Sequence, residues 1–162
     1  MKDFRAPDIR NVAVTGHAST GKTLLCEAML VCAGKISRAG TIEQGNTVSD
    51  FHADEKEHKQ SIHATVIAEE WLGRELNIID CPGYADFLSE GLGALRVGDF
   101  ALVVVNARDG VGVGTDAVWK YATEDGIPKM IVLNGFDKED TDFEKLLTEL
   151  RDMGLITLTA SP

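Results

Sequence analysis

Positive charge, cysteine, proline and long hydrophobic runs are all scarce in this chain of 162 residues. Sixteen Lys and Arg face 26 Asp and Glu, a net charge of -10. That balance excludes a generic nucleic-acid coat, which neutralises phosphates with a basic surface. Sequence-specific DNA binding is therefore not expected, and any phosphate must be held by local geometry. Cys26, Cys32 and Cys81 are an odd number without metal-ligand spacing. Reduced thiols in the cytosol are the simplest reading, so a cytoplasmic location is expected. Only 4 prolines accompany 16 glycines, and 44% of the residues are hydrophobic. This excludes collagen, a Pro-rich linker and a disordered tail. The apolar runs stop at seven residues or fewer, too short for a membrane span. The first ten residues carry Lys2, Asp3, Arg5 and Asp8 and no apolar stretch, so they do not read as a secretory signal.

What is present suffices for one domain with its own core. Residues 12–14 read as a first strand, followed by a Gly-rich segment over residues 16–23. Leu24, Leu25, Ala28 and Met29 then recur at helical spacing. Residues 64–71 and 76–80 read as two strands joined at Gly73-Arg74, an antiparallel hairpin. Residues 100–105 and 130–133 are continuous apolar runs, the pattern of strands covered on both faces. Between them Ala117, Val118, Tyr121 and Ala122 mark a helix face. Thr141 and Glu144 have capping-box spacing ahead of a last helix, whose apolar face is Phe143, Leu146, Leu147, Leu150 and Met153. Residues 155–158 read as a final strand. The alternation predicts an α/β fold, a mostly parallel sheet with one antiparallel edge strand and helices on both faces. Ligands in such sheets bind beyond the carboxyl ends of the strands. Residues 35–61 are polar without periodicity, and a loop of that length is functional or disordered.

Three strand-ending segments carry chemistry. Gly16-His17-Ala18-Ser19-Thr20-Gly21-Lys22-Thr23 is G-x-x-x-x-G-K-T, placed between a strand and a helix as a P-loop requires. Its glycines let backbone N–H groups wrap phosphate oxygens. Lys22 brings a positive charge to the outer phosphates, the Thr23 hydroxyl can ligate Mg²⁺, and the helix N-terminus adds its dipole. Asp80-Cys81-Pro82-Gly83 follows, an Asp that can hold Mg²⁺ through water and a Gly whose N–H can approach a γ-phosphate. Asn134-Gly135-Phe136-Asp137 is third. Asp137 there could accept two hydrogen bonds from the guanine N1–H and N2–H₂ edge, and Asn134 could tie the loops together. Each of the last two segments, alone, is also an ordinary turn.

In order, the segments resemble a translational GTPase, specifically the G domain of elongation factor G or an elongation factor G-like paralogue. Gly45-Asn46-Thr47-Val48-Ser49-Asp50-Phe51 with Glu55-Lys56-Glu57 resembles that family's switch I, G-x-x-T-M-D-W followed by E-R-E-R-G-I-T-I. On that register Ser61-Ile62 stands where the family has Thr-Ile. The stretch from Asn77 to Phe87 resembles the switch II segment N-I-I-D-T-P-G-H-x-D-F, and Leu95-Arg96-Val97 and Val118-Trp119 match expected neighbours. The resemblance covers residues 11–142. It implies a GTP/GDP- and Mg²⁺-binding, GTP-hydrolysing switch working with the ribosome and its large-subunit RNA, as a monomer. Carried over by position, Gly16, Ser19, Thr20, Gly21, Lys22, Thr23 and Leu24 would bind the phosphates, with Asp80 and Gly83. Asn134 and Asp137 would bind the base. Thr23, Ser61 and Asp80 would hold the metal, and Lys22, Gly83 and Tyr84 would serve catalysis.

The departures matter as much. Ser19 stands where the family usually has Asp, Ser61 replaces Thr, Tyr84 replaces the histidine that positions water, and Gly135 replaces the lysine of N-K-x-D. A phenol is a poor general base at neutral pH, although its O–H can orient water. Loss of the lysine stem should weaken base binding without removing selectivity. These changes point to a slower, weaker GTPase, or to a nucleotide-binding or ribosome-docking module with little turnover. Residues 1–162 would be a G domain incomplete at the C-terminus. Thr159-Ala160-Ser161 resembles a guanine loop, but no last helix follows.

The remaining features have plain readings. His52, His58 and His63 have no ligand spacing and read as a solvated loop. Cys81 reads as a small turn residue, Trp119 as helix packing, and the acidic run over residues 137–144 as a solvated loop and helix start.

Overall fold

A computed structural model describes residues 3–155. The expected final strand beyond Leu155 and the Thr159-Ala160-Ser161 loop lie outside the described residues. Five strands, β1 (Ile9–Thr15), β2 (Thr65–Trp71), β3 (Arg74–Asp80), β4 (Phe100–Asn106) and β5 (Lys129–Asn134), form one sheet in the order β2-β3-β1-β4-β5. The β1–β3, β1–β4 and β4–β5 pairs are parallel, and β2 runs antiparallel to β3 at the edge. Among the described residues five α-helices join the layers: α1 (Lys22–Cys32), α2 (Ala53–His58), α3 (Leu88–Val97), α4 (Val113–Glu124) and α5 (Phe143–Asp152). The fold is the mostly parallel α/β sheet that the strand–helix alternation predicts. No helix among the described residues is long and apolar enough to cross a membrane.

Strand alternation divides the core by face. Ala13, Ile79, Ala101 and Val103 meet Ala94 and Leu95 of α3 and Val118 of α4. Val12, Val14, Ile67, Ile78 and Val104 point the other way, onto Cys26 and Leu30 of α1. Val105 and Ala107 meet Leu146 and Leu150 of α5. The β4 run is buried on both faces as expected, but the β5 run is not: Met130 is 59% exposed. Among the described residues β5 is an edge strand, and on the face of Met130 only Val132 packs against the core.

Two helix expectations also need correction. On α1 the most buried side chains are Cys26, Glu27 and Leu30, while Leu24 and Ala28 are exposed. The buried face is thus rotated from the one that hydrophobicity suggested. On α5 the N-cap is Asp142, whose carboxylate accepts the Lys145 N–H at 3.0 Å. The Thr141–Glu144 box is therefore displaced by one residue, because a carboxylate one position later serves the free N–H groups equally well. Phe143 is exposed and sets its ring edge against Phe136.

The β2–β3 hairpin turns in two residues, Leu72 and Gly73, at φ 50° and 77°, one residue before the expected Gly73-Arg74, because Arg74 already pairs with Trp71. Two positive φ values define a type I′ turn, where a leucine costs about 1 kcal/mol relative to glycine. Leu72 is 86% exposed and gains nothing from packing. Leu72→Asn should therefore stabilise the chain by about 0.5 kcal/mol, read as a higher urea midpoint with an unchanged slope. A lower midpoint would contradict the strained-turn account.

Candidate functional site

The site lies where three parallel strands end. β1 stops at Thr15 and α1 starts at Lys22, and the loop between them takes positive φ at Gly16 (132°), Ser19 (60°) and Gly21 (91°). A Cβ on Gly16 would collide with the Val104 carbonyl, and one on Gly21 with the Asn134 amide. The glycines therefore serve close packing as well as backbone geometry. Lys22, Thr23 and Leu24 form the first turn of α1, whose N–H groups precede the helical ladder and favour an anion. The Lys22 ammonium is buried and donates to the His17 carbonyl at 2.6 Å, which also accepts the Thr20 hydroxyl at 3.0 Å. Burial pushes the Lys22 pKa down, with Asp80 acting against that shift. Gly83 packs directly on this assembly, because a Cβ there would meet Lys22 Nζ and the His17-Ala18 backbone.

Beside the lysine is a group of oxygens. The Thr23 and Ser61 hydroxyls are 3.2 Å apart. Asp80, 1% exposed, accepts the Ser49 hydroxyl on Oδ2 at 2.7 Å, while its Oδ1 is buried without a partner. Burial pushes the Asp80 carboxyl up to about 6, and the Ser49 hydroxyl opposes this. Asp50 is buried too, with Oδ2 unpartnered, and burial raises its pKa. Hydroxyls and carboxylates alone make a hard donor set of the kind Mg²⁺ takes, completed by water and phosphate oxygens. The orphaned oxygens fit such an ion. Among the described residues no three His, Cys, Asp or Glu side chains gather as a metal site. His58 is the last residue of α2 and His52 its N-cap, so of the three histidines read as a solvated loop only His63 lies outside a helix and its cap.

The third loop begins at Asn134, the last residue of β5, whose Nδ2 donates to the Thr20 carbonyl at 3.0 Å. Asp137 follows on an exposed turn after Gly135 (φ 89°). Tyr84, 44% exposed, precedes the short 3-10 turn Ala85–Phe87 and lines one cleft with Ser19, Gly21, Lys22, Thr23 and Ser61. Cys81 is fully buried and its thiol is pushed up to about 12, so it is packing rather than a nucleophile. Trp119 packs at the core edge under Lys129.

Sequence reasoning missed several residues here. Asn106 ends β4 opposite Asn134, and its Oδ1 accepts the Arg108 and Asp109 N–H groups. The signal was an asparagine closing two neighbouring apolar strands. His17 joins the phosphate loop to α4: its N–H donates to Thr115 Oγ1 at 3.2 Å, and Gly112 and Gly114 leave room for its ring. Residues 35–61 are neither disordered nor without regular structure, for they contain α2 and fold around buried carboxylates. Glu27 accepts the Gly40 and Val48 N–H groups, both at 2.6 Å. Glu55 accepts those of His52, Ile62 and His63. No apolar periodicity announces such anchoring.

A strand–loop–helix with glycine-bounded phosphate geometry, faced by a buried strand-ending Asp, defines a P-loop nucleotide-binding domain. The chain belongs to the family of the elongation factor Tu GTP-binding domain, whose model matches residues 7–159. It is 36% identical over 144 residues to an elongation factor G-like protein of Mycobacterium tuberculosis, covering 89% of this chain and 20% of that protein. It is 35% identical over 150 residues to the mitochondrial ribosome-releasing factor 2 of Candida dubliniensis, covering 93% and 19%. A crystal structure from Thermus thermophilus superposes with a TM-score of 0.85 at 41% identity, covering 89% of this chain and 22% of that one. The chain thus spans about a fifth of the length of the curated relatives it matches.

Asp80 gives a prediction with a definite sign. Its folded pKa, about 6, lies above the ordinary 3.8. The ionised carboxylate therefore opposes folding above about pH 6, and this cost fades as pH falls from about 6 to about 4. Asp80→Asn should raise the thermal midpoint of the nucleotide-free chain at about pH 7.5, and the gain should shrink at about pH 4.5. A midpoint that falls at both pH values would refute this account.

Proposed function

We propose that this chain is a GTP-binding and GTP-hydrolysing switch domain that works with the ribosome. The observation that carries the reading is the convergence of three loops on one mouth: Lys22 beside Gly83, Thr23 beside Ser61, and Asn134 hydrogen-bonded to Thr20. Family membership supports it, since the family is one of GTP-binding domains. Lys22 and the first-turn N–H groups of α1 would hold phosphate oxygens, and the Asp137 carboxylate would accept the guanine edge that adenine lacks. Thr23, Ser61 and Asp80 would hold Mg²⁺, which when bound neutralises charge on the terminal phosphates. Gly83, with no Cβ in the way, lets its N–H approach the γ-phosphate. Tyr84 stands at the mouth where an attacking water must be oriented, and a phenol can orient water better than it can deprotonate it.

Tyr84 and Gly135 also favour a second reading, a nucleotide-binding module with little turnover. Titrating the chain with GTP, GDP and ATP in the presence and absence of Mg²⁺ tests both. Guanine nucleotides should bind at least tenfold tighter than ATP and should need Mg²⁺ for full affinity; equal ATP affinity would overturn the assignment. Asp137→Ala should remove most of the preference for guanine. Phosphate release with ribosomes added then separates switch from module. Tyr84→His should raise ribosome-stimulated turnover severalfold at unchanged nucleotide affinity. No rise, with nucleotide bound, would refute the water-orienting role.

A further inference from the structure

We infer that Glu27 is a positioning residue that latches the loop over residues 40–48 to the phosphate-binding helix and so sets the Mg²⁺ site. The inference rests on the nucleotide-binding reading for its functional half and on geometry alone for the rest. Glu27 lies one helical turn after Thr23, on the same buried side of α1. It is 1% exposed, and each carboxylate oxygen accepts one short backbone N–H, from Gly40 and from Val48. Hydrogen bonds from backbone N–H to a buried carboxylate are among the stronger ones in proteins, and removing the acceptor leaves two donors unpaired.

The span between the two donors is closed on itself. Asn46 Oδ1 accepts the Thr41 N–H at 2.8 Å, and a Cβ on Gly40 would strike the Asn46 carbonyl. The carboxylate thus grips both ends of a compact loop. The residue after Val48 is Ser49, whose hydroxyl donates to Asp80 Oδ2. Ser49's carbonyl also accepts the Thr65 hydroxyl at 3.0 Å, which ties the same point to β2. A chain of direct contacts therefore runs from α1 through Glu27 and Val48 to Ser49 and Asp80. Its effect is to engage one Asp80 oxygen with a hydroxyl and to leave Oδ1 for the ion. Asp50 follows Ser49 directly, and its buried Oδ2 is likewise without a partner. The polar segment is held by a carboxylate on the helix that also carries Lys22 and Thr23, so the helix couples the phosphate loop to the residues over it.

Glu27→Gln retains size and one acceptor but places an N–H₂ against a second donor. Amide hydrogen exchange across residues 40–48 should quicken at least tenfold, with protection in β1 and β4 retained. The Mg²⁺ concentration that half-saturates slow release of fluorescent GDP should rise about five- to tenfold. GDP affinity in EDTA should stay within twofold. Val48→Pro removes a donor from the other side, at a partly exposed residue, and should reproduce both effects; the double variant should be no worse than Glu27→Gln alone. Unchanged exchange in both variants would overturn the latch. An equal loss of GDP affinity with and without Mg²⁺ would overturn the positioning role. If the unaltered chain retains no nucleotide at all, the nucleotide reading fails, and the exchange measurement still decides the latch.

Discussion

Close packing onto the backbone at Gly16, Gly21 and Gly83 is the constraint on which the site depends. At each point a single Cβ would occupy space that belongs to another element: the Val104 carbonyl of β4, the Asn134 amide of β5, or the Lys22 ammonium of α1. Because these contacts join β1 to β4, α1 to β5 and β3 to the phosphate loop, they hold the three strand ends in one cluster. The parallel pairing of β3, β1, β4 and β5 brings those ends to the same edge of the sheet, and the glycines allow the loops to close over it. Side chains that carry chemistry then need only short reach. Lys22 lies under a backbone carbonyl, and Thr23 meets Ser61 across the cleft.

Electrostatics explains how a polar loop becomes ordered in a chain of net charge -10. Glu27, Glu55 and Asp80 are buried with backbone N–H groups or a hydroxyl as their hydrogen-bonded partners. Such carboxylates organise backbone as an apolar core organises side chains, and Asp80 with Asp50 also places negative charge near the buried Lys22. Burial raises the pKa of Asp80, neighbouring Asp50 adds to the shift, and a divalent cation would relieve the same crowding. The acidity of the chain and a site for anionic phosphates are therefore compatible. Attraction is local, from Lys22, the α1 N-terminus and Lys59 at the same cleft, whatever the net charge.

Much of this was legible in the residues. The G-x-x-x-x-G-K-T segment, the strand-ending Asp80 and the hairpin at Gly73 follow from local rules of turn geometry and periodicity. Other features were not. The buried face of α1 is set by Glu27, which no hydrophobicity pattern would place inside, because its burial depends on amides of residues 40 and 48. The α5 cap shifted from Thr141 to Asp142 because two adjacent residues offer equivalent oxygens and only the path of the incoming chain selects one. Exposure of β5 on one face depends on which elements lie beside it, and a short apolar run cannot report that.

By itself, then, the sequence determined the five strands, the helices α1, α4 and α5, the phosphate loop and the chemistry available at each strand end, since these depend on contacts between near neighbours, whereas α2 and α3 carry no such local signal. Only the tertiary structure decided that Ser61 meets Thr23, that Asn134 binds Thr20, and that the loop over residues 40–48 hangs from Glu27. Those contacts join residues 13 to 114 positions apart. Their free energy comes from burial and pairing that exist only once the sheet has brought the strand ends together.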